Sequence, residues 1–154
     1  MKINTTRFGE IEGDEKNIFR FEMPILGYNE EKEFILIESK EASLFKWLQS
    51  TKTADLAFLT TSPGFFNIDY VFELPEEAET ILEVKSADDL VVLNIAKVPN
   101  NQPRETTINM LAPLILNINN NKAGQVIISG SGFDVTYPLF KNNNDENESV
   151  KEGE

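Results

Sequence analysis

The sequence predicts a mostly β fold, a compact antiparallel β-barrel-like or sandwich domain with one or two short helices. The first reason is that short β-prone runs, separated by polar or turn residues, recur along most of the chain, as is typical of barrels and sandwiches. The second is that several runs are apolar on both faces, which favours a closed or two-layer structure over one open sheet. The third is the scarcity of helical patterns.

The predicted strands are rich in β-branched and aromatic residues. They cover residues 18–21, 33–37, 45–50, 55–60, 69–73, 90–96, 106–109, 111–118 and 125–129. One helix is predicted near residues 76–84, because Pro75 suits a first helical turn and the acids that follow it complement the positive end of the helix dipole. Ser86 is a predicted N-cap that begins a second short turn.

Residues 1–140 are predicted to form a single domain, followed by a tail at residues 141–154. The tail contains one apolar residue, Val150, and five acidic residues against two lysines. Such a segment buries too little apolar surface to offset the entropy lost on ordering. We therefore expect a disordered acidic tail.

The chain contains no histidine and no cysteine, which excludes Ser–His and Cys–His nucleophilic sites, thiol redox chemistry and Cys/His zinc sites. Paired carboxylates remain, for example Glu10 with Glu12 and Glu31 with Glu33. With 26 acidic residues such pairs arise by chance, so we interpret them as solvated faces rather than catalytic groups. No calcium-loop or phosphate-loop pattern is present. The sequence predicts no enzyme, no cofactor and no metal.

The formal charge of −12 disfavours direct binding of nucleic acid and attracts basic partners. Simple solubility explains the same charge equally well. No apolar run approaches the roughly 20 residues of a membrane-spanning helix, and residues 1–7 lack the apolar centre of a signal peptide. We expect a cytoplasmic protein with no membrane contact.

Two short stretches are candidates for protein contacts. Phe65 and Phe66 are adjacent, and neighbours on a strand point to opposite faces, so one of them is either an exposed interface anchor or part of a second packed layer. Pro113 interrupts an apolar strand and predicts a strand edge or bulge. Such an edge either offers free backbone groups to a partner or is shielded by the chain's own loops.

Short motifs spread over residues 1–140 resemble those of the flagellar assembly factor FliW family. They are Phe8-Gly9-Glu10, Trp47-Leu48-Gln49-Ser50, Asp69-Tyr70, Glu73-Leu74-Pro75, Asn109 with Ala112 and Pro113, Asn117, Gln125, and Pro138-Leu139-Phe140. The chain departs from the family pattern at residues 23–28. It also has Tyr137 where the family often has histidine.

The resemblance implies a non-enzymatic protein with a compact β-barrel-like fold that binds two partners alternately. One partner is newly made flagellin, and the other is the RNA-binding translational repressor CsrA. While CsrA is held, flagellin messenger is translated; when flagellin accumulates it occupies the protein, and CsrA is released to repress. The alternatives are a small-ligand-binding β-barrel protein and, further off, a carboxylate hydrolase.

Candidate contact residues follow from this two-partner hypothesis. Contacts to CsrA are expected from acids near the predicted helix and the C-terminal loop: Glu73, Glu76, Glu77, Asp88 and Asp134. Flagellins are commonly acidic themselves, so apolar and backbone contacts are expected for flagellin instead. The candidates for those contacts are Phe65, Phe66, Asn109, Pro113 and Tyr137.

Overall fold

The computed structural model describes residues 1–38 and 44–140. Its strands are β1 (Lys2–Thr5), β2 (Gly9–Glu12), β3 (Ile18–Met23), β4 (Glu33–Glu38), β5 (Phe45–Ser50), β6 (Ala57–Thr61), β7 (Leu90–Lys97), β8 (Thr107–Ile108), β9 (Leu114–Asn117), β10 (Lys122–Gln125) and β11 (Tyr137–Pro138). Helix α1 spans Glu76–Ile81, and short 3₁₀ helices span Glu15–Asn17, Pro63–Phe66, Ala87–Asp89 and Pro103–Glu105. The predicted tail lies outside the described residues and stays a prediction.

Seven strands close into a barrel, which confirms the predicted fold class. Hydrogen bonding runs in the order β7-β6-β5-β4-β3-β10-β9, and β9 pairs back onto β7. Neighbours in this ring are antiparallel except β3 and β10, which run parallel. Strands β8 and β11 extend the sheet from the end of β7, and β1 and β2 pair with each other as a hairpin.

Cross-strand register directs one apolar face of each strand into the barrel. Leu48 lies opposite Leu36 on one side and Phe58 on the other, and Leu116 lies opposite Ala123. Directly opposed residues point to the same face of a sheet, so these side chains meet in one interior. Leu48, Leu116 and Ala123 are completely buried there, in a cluster with Phe19, Phe21, Phe34, Leu93 and Leu114. The barrel is filled by side chains.

Helix α1 packs on the outside of the barrel. Ala78 on its apolar face and Leu82, which follows the helix, are both completely buried in one cluster with Ile115 of β9. The helix ends there because Glu83 adopts a left-handed conformation with φ 53°. The Asn117 side-chain amide donates to the carbonyl of Leu82 at 2.9 Å, which satisfies a group that helix ends leave unpaired. The predicted helix is confirmed with a shorter span.

No helix in the described part of the chain has the length and apolar character to cross a membrane.

The predicted strand at residues 69–73 is wrong. The segment 67–75 has no regular hydrogen-bonded structure, although burial alternates along it. Tyr70, Phe72 and Leu74 are half-buried, while Val71 and Glu73 are exposed. The period of two therefore reflects an extended segment on the outside of the barrel that joins none of the described sheets.

Other boundaries moved because turns were not recognised. The strand predicted at residues 125–129 is wrong, because β10 covers Lys122–Gln125 and residues 126–129 are not in a strand. The predicted strand 111–118 shortens to β9. Asn121, with φ 63°, turns the chain between them, and its side chain donates to the carbonyl of Ile18 at 2.7 Å. Strands β1, β2 and β11 were not predicted, because they are short and only sparsely apolar.

A carboxylate network ties the loop before β4 to the turn after β5. The hydroxyls of Ser50 and Thr53 each donate to a Glu31 carboxylate oxygen at 2.6 Å. Ser50 Oγ in turn accepts from the backbone N–H groups of Lys52 and Thr53, at 3.1 and 2.9 Å. The hydrogen bond from Ser50, followed by that from Thr53, lowers the pKa of Glu31 below its usual value.

We expect truncation of the barrel interior to be costly. Leu48→Ala should lower the free energy of unfolding by about 2–5 kcal/mol, because Leu48 is fully buried and its loss leaves a cavity between three strands. Urea denaturation measures this. The control is Ile118→Ala, at a residue 54% exposed, which should change stability by only about 0.5 kcal/mol. Equal effects of the two variants would show that the interior is not packed as described.

The Glu31 network predicts a pH-dependent difference between the wild type and Glu31→Gln. A lowered pKa in the folded state adds stability that is present above the unfolded value, near 4.5, and is lost as pH falls through the folded value. The variant should therefore be less stable than the wild type at pH 7, and the difference should shrink below about pH 4.5. Thermal unfolding across pH measures it, with Glu30→Gln as the control. A difference that is constant with pH would contradict the network.

Candidate protein-binding surfaces

Three of the residues predicted to bind flagellin line one groove of about 710 Å³, which we call the aromatic groove. Its walls include Phe65, Phe66, Ile68, Tyr137, Leu139 and Phe140. The 3₁₀ helix Pro63–Phe66 supplies one wall and ends at Asn67, a residue type that tolerates the left-handed φ of 58° found there. Strand β11 and the residues after it supply the other wall.

Phe65 and Phe66 have different roles in this groove. Neither lies on a strand; the 3₁₀ helix separates them, leaving Phe65 56% exposed and Phe66 half-buried. The ring of Phe66 packs 5.9 Å from that of Phe45 and 5.6 Å from that of Phe140. Phe65 is thus the more accessible member of the pair, and Phe66 packs against Phe45 and Phe140 in the groove wall.

The β11 wall is poorly suited to adding a strand. Tyr137 pairs with Ile108 of β8, and Leu139 N donates to the Thr106 carbonyl at 2.9 Å. Between them, Pro138 has no N–H to offer. The aromatic groove therefore presents side chains, more than backbone groups, to whatever fills it.

Asn109 and Pro113 lie elsewhere, and the open strand edge inferred from Pro113 is wrong. Pro113 is buried just before β9, and its carbonyl accepts from Val126 N at 3.0 Å. Strand β9 is paired on both sides, because it closes the barrel. Asn109 Oδ1 already accepts from Ala112 N at 2.9 Å, and its backbone carbonyl accepts from the Asn94 side chain at 2.8 Å. Asn109 thus stabilises the turn before β9, and Pro113 is bonded across to the residue after β10.

More than half of the net negative charge comes from residues 69–89, which we call the acidic segment. It contains eight acidic residues and one lysine, a formal charge of −7 out of −12 for the whole chain. The predicted contacts Glu73, Glu76, Glu77 and Asp88 belong to it, and all four are exposed. The fifth, Asp134, is exposed on a different loop, where its carbonyl accepts from Met110 N at 2.9 Å.

Tyr70 anchors the start of the acidic segment to the barrel. Its hydroxyl donates to the Met110 carbonyl and accepts from the Asn94 side chain at 3.3 Å. Its ring lies 4.9 Å from that of Phe133. Burial raises the pKa of Tyr70, against a smaller lowering by the bond from Asn94, so the hydroxyl remains a donor at neutral pH. The loop that carries Asp134 is thereby held beside the acidic segment.

An apolar groove of about 460 Å³ lies within the acidic segment. Its walls include Val71, Phe72, Leu74, Val84, Leu90 and Val92, and the same groove is lined by two carboxylates, Glu73 and Glu79. Val71 is 87% exposed, so most of its apolar side chain is accessible to a partner. The sequence did not single out Val71 because it lay within a predicted strand, where an apolar residue is ordinary.

The structure also bears on the two alternative functions, a small-ligand-binding barrel and a carboxylate hydrolase. The interior of the barrel is filled by buried side chains, which argues against a small ligand held inside it. Residues 1–38 and 44–140 contain no group of three or more Asp or Glu residues arranged to hold a metal ion. Of the carboxylate pairs, Glu10 and Glu12 are exposed on β2, and Glu12 bonds the N-terminal amine at 2.6 Å. Glu31 is engaged in the hydroxyl network.

Comparison with known proteins places the chain in one family. The family model described as FliW protein matches residues 2–139. The chain is 34% identical over 142 residues to the flagellar assembly factor FliW of Caldanaerobacter subterraneus subsp. tengcongensis, covering 92% of this chain and 94% of the relative. It is 37% identical over 140 residues to that of Clostridium beijerinckii, covering 91% and 99%.

A solved structure agrees with this assignment. It is described as the crystal structure of the flagellar assembly factor FliW, and it superposes on this fold with a TM-score of 0.85 at 30% sequence identity. The match covers 94% of this chain and 100% of that one. On the family model, the relatives and the fold together, the chain belongs to the FliW family.

Proposed function

We propose that this chain is a cytoplasmic flagellar assembly factor, a non-enzymatic regulator that alternately binds flagellin and the translational repressor CsrA and so relieves CsrA repression of flagellin translation. The observation that carries the proposal is the family match across residues 2–139, supported by relatives named flagellar assembly factor FliW. The absence of histidine and cysteine is in keeping with a role in binding. Such a role requires surfaces rather than reactive groups.

The aromatic groove is the better candidate for flagellin. Exposed aromatic side chains in a concave surface are typical interface anchors, and Phe65 is 56% exposed beside a supported neighbour. A partner that is itself acidic gains nothing from the charge of this chain and must bind by packing. Phe65, Phe66 and Tyr137 line the groove, so we retain them as contacts. We do not retain Asn109 and Pro113, because neither lines the groove and Pro113 is buried.

The acidic segment is the better candidate for CsrA. A cationic RNA-binding protein is attracted by a segment with a formal charge of −7, one acid of which, Glu83, is already paired with Lys122 at 2.7 Å, and such a field accelerates encounter. Glu73, Glu76, Glu77 and Asp88 are exposed within it. Asp134 is held close to its start through the contact of Phe133 with Tyr70.

The aromatic groove and the apolar groove of the acidic segment are close together, which supports binding of flagellin and CsrA in alternation. Asp69 lines the aromatic groove and Tyr70, the next residue, lines the apolar groove of the acidic segment. A stable protein interface covers about 800 Å² on each partner, so an interface centred on either groove would extend across Asp69 and Tyr70 towards the other. Two proteins centred on these grooves would overlap, and each would exclude the other.

Binding through Phe65 can be separated from folding. Phe65→Ala should weaken flagellin binding by about tenfold or more, since it removes an exposed anchor, and should leave thermal stability nearly unchanged. Phe66→Ala should instead lower stability by about 2–3 kcal/mol, because its ring packs between Phe45 and Phe140. Calorimetric titration with flagellin and thermal unfolding measure the two properties. Unchanged flagellin affinity in folded Phe65→Ala would place the site elsewhere.

Binding of CsrA should depend on salt and on the acidic segment. Glu73→Lys and Glu77→Lys should slow association more than they change dissociation, and the effect should shrink as sodium chloride increases. Surface plasmon resonance at several salt concentrations measures both rates. Glu105→Lys, an equal charge change at an exposed acid outside the segment, is the control and should have a smaller effect. An affinity that does not vary with salt would contradict the electrostatic account.

A further inference from the structure

The apolar groove of the acidic segment combines two properties that charge alone does not explain. Its walls are apolar, and Val71 on one wall is 87% exposed. At the same time Glu73 and Glu79 line the groove itself, and the surrounding residues 69–89 carry a charge of −7. The apolar walls give a partner a surface to pack against, which negative charge alone does not provide.

We propose that this groove is a docking site for an apolar side chain carried on a positively charged segment of CsrA, with Val71 as the main contact on this chain. The inference rests on the proposed function and adds a short-range apolar anchor to the long-range attraction. Charge complementarity selects the occupant, because an acidic segment such as flagellin would be repelled from Glu73 and Glu79. A cationic segment satisfies both carboxylates while an aliphatic side chain fills the groove.

The surrounding structure holds the groove open before a partner arrives. Tyr70 is bonded to Met110 and Asn94 on one side of Val71. On the other side, Phe72 packs against the cluster formed by α1 and β9, with its ring 5.0 Å from that of Tyr70. Val71 is therefore fixed between two packed aromatic residues and cannot turn inward without breaking their contacts. Binding to such a preformed wall requires little ordering of this chain.

The experiment compares Val71→Ser with Val98→Ser for CsrA binding at low and high salt. Val98 is 42% exposed and lies outside the grooves described, so it matches the chemical change without touching the site. Val71→Ser should weaken binding by about tenfold, because burial of the valine side chain against the partner is lost, and by a similar factor at both salt concentrations. Val71→Leu, which keeps the apolar contact, should retain most of the affinity. Thermal unfolding should be unchanged in all three variants.

The outcomes distinguish the inference from the function on which it rests. If the wild type does not bind CsrA at all, the proposed function fails and the docking site fails with it. If the wild type binds and Val71→Ser binds equally well at both salt concentrations, the inference alone is overturned and the contact is purely electrostatic. An equal loss in Val98→Ser would also overturn it, because the effect would then not belong to the groove.

Discussion

Pairing of β7 with three other strands is the constraint on which the fold depends. Its first half, Leu90–Leu93, pairs with β9 and closes the barrel. Asn94 and Ile95 pair with β6, and Ala96 and Lys97 pair with β8. One strand thus joins both ends of the ring and starts the extension to β8 and β11, so its register sets which face of each neighbour points inward.

The same constraint explains where the candidate surfaces lie. Because Thr61 of β6 pairs with Asn94 of β7, both ends of the connection 62–89 are fixed on adjacent strands. The connection cannot enter the filled barrel and must lie on its outside. It carries the 3₁₀ helix Pro63–Phe66, the extended residues at 67–75 and helix α1 in succession. Phe65 and the acidic segment therefore lie on the same connection, and they are close together because barrel closure fixes both of its ends.

Sequence reasoning reached the barrel class and the position of α1 because both depend on local patterns. Strand β5 was predicted with its observed bounds, since an apolar run ends there at a polar turn. Pairing across the chain was not visible: Pro113 resembled an edge because nothing local reveals that β9 is bonded on both sides. For the candidate sites, residue type indicated Phe65 and the acids, whereas the exposure of Val71 depends on its two neighbours packing against the barrel.

The concentration of acids in the acidic segment is tolerated for reasons that also leave it open to a partner. Glu76, Glu77 and Glu79 lie in the first turn of α1, where the helix dipole favours negative charge. The last turn of α1 has no basic residue; instead the side-chain amides of Asn117 and Asn120 donate to the Leu82 carbonyl. These amides carry no charge, so they do not neutralise the acids; within the segment, Glu83 is paired with Lys122 at 2.7 Å. The fold thus stabilises the helix by dipole and hydrogen bond, while Glu73, Glu76 and Glu77 stay exposed to a basic partner.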